Sequence, residues 1–286
     1  MLRVLVHIQR RLDDPLELVE LARLAHFSPY HFHRIFRGMV GESVMEHVRR
    51  LRLERAAMRL KARDLPVTQI AFEAGYETHE SFTRAFRAMF GIPPAQYRET
   101  HRIMPPPPVP SGVHFAADGA PSDFIPHRSK GAAMDVRVED VPPTKVVFVR
   151  HIGPYQACGE AWGRLFSWAG PRGLVGPGAR LLGVCYDDPS VTPPDKLRYD
   201  ACLTVTRDVA PEGAVGVQEI GGGRYAVTRH RGPYEKLGET YTRLCGEWMP
   251  AAGHEARSAP CMEHYLNSPM NTAPADLLTD IYMPIE

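Results

Sequence analysis

The sequence predicts a two-domain chain, an all-α domain with two helix-turn-helix units followed by a duplicated α+β domain. Three observations predict it. A helix-turn-helix pattern is written twice in the first 100 residues. A proline-rich stretch, "MPPPPVPSG" at 104–112, follows it. The hexapeptide RHxGPY then occurs at 150–155 and again at 229–234. A length of 286 residues suits about two domains. The boundaries fall at 1–100, a Pro/Gly-rich linker at 101–133, and 134–286, because consecutive prolines lack amide donors and end helices.

Helix starts and stops punctuate residues 1–100. Asp14-Pro15 and Ser28-Pro29 both read as a cap followed by proline in the first turn. Gly41 breaks one helix, and Ser43 can cap "VMEHVRRLRLERAAMRLKA". There Val44, Val48, Leu51, Ala56 and Leu60 supply a buried stripe, with Arg49, Arg50, Arg52 and Arg59 expected mostly outside it. Thr68 begins a short helix that Gly75 ends, and another helix runs from about His79 to Phe90.

The internal repeat aligns residues 21–41 with 70–91. Ala22 and Ala25 match Ala71 and Ala74. Phe32, Arg34, Phe36 and Arg37 match Phe82, Arg84, Phe86 and Arg87. In each copy paired alanines permit a close helix crossing, and phenylalanines one turn apart bury one face. The arginines are left on another face, which suits a major groove and its phosphates. Arg34, Arg37, Arg84 and Arg87 are the principal candidate DNA contacts, with His31, His33, His79, Glu80, Ser81 and Thr83 as candidates for base reading. The helix between the copies can set them about 34 Å apart, so that one chain reads a bipartite site on duplex DNA. "HFSPYHFHRIFRGMVGES" and "IAFEAGYETHESFTRAFRAMFGIPPAQYR" resemble the two reading units of the AraC/XylS-type DNA-binding domain, the second more specifically. The resemblance covers about residues 12–100 and implies a transcription regulator. That family usually places this domain last, and here it comes first.

The second repeat aligns the RHxGPY copies at a constant offset. Gly159, Trp162 and Leu165 match Gly238, Tyr241 and Leu244. A β-rich run precedes each motif and an amphipathic helix follows, so RHxGPY reads as a strand-to-helix corner. Glycine permits the turn and proline presets the helix. Further strands are read at 181–187, 199–205, 214–220, 261–267 and 280–285. Glu263 and Tyr265 share one strand face in an apolar setting, which suits an organic cation between aromatic walls. Candidate walls are Tyr155, Trp162, Tyr199, Tyr234, Tyr241, Trp248 and Tyr265. Residues 134–286 resemble the gyrase-inhibitor-like effector-binding domain, through RHxGPY with its glycine-containing helix and through "CMEHYLN". This resemblance implies a ligand held at a pseudo-symmetry axis. It maps a pocket glutamate onto Glu263 and implies multidrug-type, cationic and apolar ligands.

Composition narrows the function. Residues 1–100 carry 16 Lys or Arg against 12 Asp or Glu, while the remainder carries 18 against 21, so a polyanion meets the first domain. No 18-residue apolar run or signal-peptide pattern is present, and the five cysteines form no CxxC pair, as expected of a cytoplasmic protein with reduced thiols. No metal-ligand spacing, phosphate loop or nucleophile–base pair is legible, so no catalytic residue, metal or cofactor is expected. The expected protein is a DNA-binding transcription regulator responsive to a small organic effector. RNA polymerase is a candidate partner, no membrane is involved, and monomer and homodimer are both open. Two alternatives stand beside it: a constitutive DNA binder whose second domain binds protein, and a small-molecule sequestering protein or hydrolase using the C-terminal cleft.

Overall fold

The computed structural model describes all residues except 28, 63, 101–103, 122–123, 128–132 and 190–191. The chain forms two compact units, Met1–His26 with Phe36–Arg128, and Phe27–Ile35 with Ser129–Glu286. The Ser28 cap signal lies outside the described residues.

The helices of the N-terminal region are α1 (Leu2–Arg10), α2 (Leu18–Leu24), α3 (Pro29–Val40), α4 (Val44–Ala62), α5 (Val67–Glu73), α6 (His79–Phe90) and α7 (Pro94–Glu99). Helix α2 starts three residues after Pro15, because Asp14 gives its carboxylate to Arg11 Nε at 2.8 Å instead of capping. Ser43 and Glu46 form a reciprocal capping box at the start of α4, with bonds of 2.8 and 3.2 Å. Thr78 Oγ1 accepts from Ser81 N at the start of α6, and Gly91, left-handed at φ 79°, closes it. Phe82, Phe86 and Phe90 pack with Tyr97, Ile70 and Ala71 under α4 in one apolar cluster.

Two arginines of α4 depart from the sequence expectation or extend it. Arg50, expected mostly outside the stripe, is buried, and it donates to Glu54 at 2.7 Å and to both oxygens of Glu42. Arg55, not singled out in the sequence, is also buried and holds Asp13 with both terminal nitrogens. Burial alone would raise the Glu42 pKa. Hydrogen bonds from His47 and Arg50 nevertheless hold it at about 2, below its ordinary 4.5. A depressed carboxyl stabilises the fold above its unfolded pKa and loses that contribution as pH falls through the folded value. Stability of wild type should therefore drop between about pH 4.5 and 2 more steeply than that of Glu42→Gln, as checked by urea unfolding.

Residues 111–116 of the Pro/Gly-rich stretch are bound to this unit. Ser111 and Val113 are buried. The Gln9 amide donates to His114 O and accepts from Ala116 N, both at 2.8 Å, and Phe115 N donates to Glu54 at 2.7 Å.

The second unit is built on an eight-stranded antiparallel sheet. Its strands are β1 (Val136–Val141), β2 (Thr144–Ile152), β3 (Leu181–Cys185), β4 (Arg198–Thr204), β5 (Val215–Ile220), β6 (Gly223–Arg231), β7 (Cys261–Tyr265) and β8 (Leu278–Pro284). The order is β1-β6-β8-β7-β3-β4-β2-β5. The halves exchange their first strands, since β1 pairs with β6 and β5 with β2. The central pair β3–β7 sets Gly183 opposite Glu263, on the axis that relates the two halves. Helix α8 (Gly159–Ala169) follows β2, and α9 (Leu237–Arg243) follows β6. Val147, Val149, Tyr199, Ala201 and Leu203 bury one sheet face with Ala161 and Leu165 of α8.

RHxGPY is the corner of each half. Arg150 grips Asp200 with two bonds of 2.8 Å, and Arg229 grips Asp280 at 2.7 and 2.9 Å. Gly153 N donates to Leu197 O and Gly232 N to Leu277 O, both at 2.9 Å. Both glycines have positive φ, 143° and 134°, where a side chain is strained. The histidines touch the carbonyls of Pro154 and Pro233, so the arginine, histidine and glycine of the motif each have a structural task.

Candidate effector site and nucleic-acid interface

Glu263 is buried on β7, and both its oxygens are occupied. Tyr241 of α9 donates to Oε1 at 3.0 Å and Tyr265 donates to Oε2 at 2.6 Å. Tyr265 and Tyr199 hydroxyls lie 3.0 Å apart, and Trp162 Nε1 donates to Tyr199 at 3.1 Å. Trp162 can only donate and an ionised carboxylate can only accept. The chain therefore runs one way, Trp162 to Tyr199 to Tyr265 to Glu263. Burial pushes the pKa values of Tyr199, Tyr241 and Tyr265 well above 10, so these hydroxyls keep their protons and remain donors.

The walls assemble around this chain. Tyr234 meets the Tyr265 ring edge-on at 5.4 Å, and Trp162 does so at 5.8 Å. Tyr155 lies 5.9 Å from Tyr199 and donates its hydroxyl to Asp187 O at 2.6 Å. Trp248 is not brought to this group, and its ring stacks on His254. Trp248 lies seven positions after Tyr241, and the two would share a face on a regular helix. The wide π turn Leu244–Trp248 inserts about one extra residue and rotates Trp248 away.

Gly183 was not singled out in the sequence. A Cβ there would stand 2.6 Å from both the Tyr199 and Tyr265 oxygens. The glycine thus makes room for two hydroxyls to meet above the central strand. Gly183→Ala should cost about 1–3 kcal/mol of stability, as overpacking does. Calorimetry should show a melting temperature lowered by roughly 2–4 °C per kcal/mol, and an unchanged value would count against this close packing. Cys158 lies at the same site, and burial, followed by the charge of Glu263, raises its pKa to about 11. That disfavours a thiolate nucleophile at neutral pH.

On α6, Arg84 and Arg87 are exposed, while His79 and Thr83 are partly exposed. With Glu80 they line a shallow hollow of about 650 Å³ on the helix surface. Ser81 is engaged in the helix cap, its hydroxyl donating to Thr78 O at 2.8 Å. Among the described residues of α3, only Arg37 is exposed. His31 and His33 are buried, and the Arg34 side chain is 12% exposed.

Residues 134–286 match the GyrI-like small molecule binding domain, over half of the chain. The chain belongs to the GyrI-like family. Residues 21–100 match a helix-turn-helix domain of the AraC type. The probable transcriptional regulator YgiV of Escherichia coli K12 is 32% identical over 155 residues, 53% of this chain and 96% of that protein. The right origin-binding protein of Escherichia coli K12 is 32% identical over 97 residues, which are 34% of each chain. Among solved structures, the EcmrR C-terminal domain aligns with TM-score 0.44 and 21% identity, over 54% of this chain and 98% of its own. This GyrI-like chain thus pairs a small-molecule binding domain with an AraC-type reading domain, and its relatives are transcriptional regulators.

Proposed function

We propose that this protein regulates transcription by binding a bipartite operator and that an organic, amphipathic cation is its effector. One observation carries the effector class. Glu263 is a carboxylate buried beneath aromatic rings, with its charge stabilised by two hydroxyl donors. Such a charge is costly to bury and favours a cation that stacks on the rings. The reading half rests on the exposed Arg84 and Arg87 beside partly exposed His79 and Thr83. The protein works in the cytoplasm, where DNA and RNA polymerase are its partners, and two reading units allow it to act as a monomer.

Protection mapping on genomic fragments, with a salt titration, tests the reading. The expected footprint spans two adjacent major grooves, and tetraphenylphosphonium changes its affinity. Absence of any specific site at low salt would overturn the proposal.

A further inference from the structure

The internal repeat supplies a comparison within one chain. Arg84 and Arg34 occupy the same position of the two copies, yet Arg84 is exposed and Arg34 is almost wholly buried. Arg34 belongs to the segment Phe27–Ile35, which is part of the second unit. There its guanidinium carbon lies 4.3 Å from the centre of the Tyr241 ring. Its Nε stands 3.5 Å from Asp188 Oδ2, and a terminal nitrogen points at Cys261 Sγ at 3.6 Å. Tyr241 is the residue whose hydroxyl holds Glu263, so this seat adjoins the carboxylate of the candidate effector site.

We propose that Tyr241, Asp188 and Cys261 form a cation site that Arg34 fills as a tethered ligand. A guanidinium- or ammonium-bearing effector takes this seat by displacing Arg34, which releases residues 31–35. The inference rests on reading the C-terminal cleft as a small-molecule site, and it adds the subsite, its second carboxylate and the occupant to be displaced.

The geometry suits an exchangeable occupant. Arg150 and Arg229 each grip an aspartate through two bonds of 2.9 Å or less. Arg34 has no such fork among the described residues. It is held by a ring face, a longer ion pair and a weakly accepting thiol. A soluble cation with an aryl group can reproduce each of these contacts and add its own apolar burial. Neighbouring groups pin the segment. His31 Nε2 lies 2.9 Å from Ala259 O, and His33 Nδ1 lies 3.4 Å from Asp188. Burial, then the charge of Arg34, lowers the His31 pKa to about 4, so it sits in the seat uncharged. The backbone oxygens at Ala259 and Arg257 and the charge of Asp188 oppose this shift, and Cys261 Sγ lies 3.8 Å from its Nδ1. A depressed histidine favours the docked state above its free pKa of 6.5 and loses that contribution toward 4. Acid and cation should therefore both release the segment.

Displacement has an arithmetic consequence. A ligand that must compete with Arg34 binds with an affinity reduced by the fraction of seats left open. By reciprocity, the ligand raises the exposure of His31, His33 and Arg34 by the same coupling.

The test is calorimetric titration of the full chain with phenylguanidinium, in parallel with hydrogen exchange over residues 31–35. Arg34→Ala should bind phenylguanidinium about 10-fold or more tightly than wild type, and Arg34→Lys should fall between them. Asp188→Asn should weaken binding in the Arg34→Ala background. In wild type, saturating phenylguanidinium should accelerate exchange of residues 31–35, and a shift from pH 7.5 to 5 should lower their protection factors once the slower intrinsic exchange at acid pH is divided out. The hydrogen-exchange arm uses unaltered protein, so it holds even if a variant folds poorly. If Glu263→Gln abolishes cation binding while Arg34→Ala binds no more tightly and exchange is unchanged, the cleft reading survives and this inference falls. If neither wild type nor Arg34→Ala binds the cation, both fall.

Discussion

Replacing Arg84 and Arg87 together by alanine should weaken operator binding by about 30-fold or more and flatten its dependence on salt. The two side chains lie one turn apart on α6, both exposed, and neither is ion-paired among the described residues. The opposite face of α6 is fixed by Phe82, Phe86 and Phe90, so the direction of the arginines is set by the core. Alanine favours helix, and the Thr78 cap and Gly91 stop are untouched, so the fold should persist. Each contact to a base edge is worth about 1–3 kcal/mol, and each lost phosphate contact lowers the slope of log K against log salt by about one. Arg84→Lys separates the two roles, because it keeps a phosphate-binding charge and loses the fork that reads guanine. Unchanged affinity and slope in the double variant would place the DNA interface elsewhere.

Much of the architecture was legible because it was written twice. The bounds read for α6, His79 to Phe90, agree with the structure, and five predicted strands begin within two residues of their observed starts. RHxGPY was legible as a corner because glycine and proline constrain the backbone directly. Its Arg–Asp grips were not, since Asp200 and Asp280 lie about fifty residues beyond their partners. Arg50 was misplaced for a related reason. Periodicity reports which face a residue occupies, but Glu42 and Glu54 neutralise that arginine and allow it inside. Trp248 failed through a π turn that no residue type announces. The role of Gly183 needed the register of β3 against β7 and the reach of two tyrosines from neighbouring strands.

That register also explains why the axis of the duplicated fold holds one carboxylate. The axis runs between Gly183 and Glu263, so equivalent positions face each other across the central pair. Two glutamates there would set like charges side by side in a buried site, and one would be forced to take up a proton. Glycine in one half removes that conflict and leaves space that Tyr199 and Tyr265 fill. Trp162 and Tyr241 likewise occupy matching positions on α8 and α9, and they address opposite ends of the same hydrogen-bond chain.

Glu263→Gln should lower affinity for a monovalent organic cation by roughly 100-fold, because removing one partner of a buried charge pair costs about 3–5 kcal/mol, part of which solvent and neighbouring donors recover. The substitution keeps the shape of the side chain. Its amide oxygen can still accept from one tyrosine, while the other tyrosine can turn to accept from the amide nitrogen. Packing around Tyr241 and Tyr265 should persist, so the melting temperature of the free protein should change far less than the affinity. The decisive comparison uses a neutral ligand of the same shape as the cation. If charge recognition by Glu263 drives binding, the neutral ligand should bind wild type and Glu263→Gln alike, and only the cation should discriminate. If both ligands lose affinity equally, Glu263 organises the aromatic walls and the selectivity for cations resides elsewhere, with the Asp188 seat the next carboxylate to test.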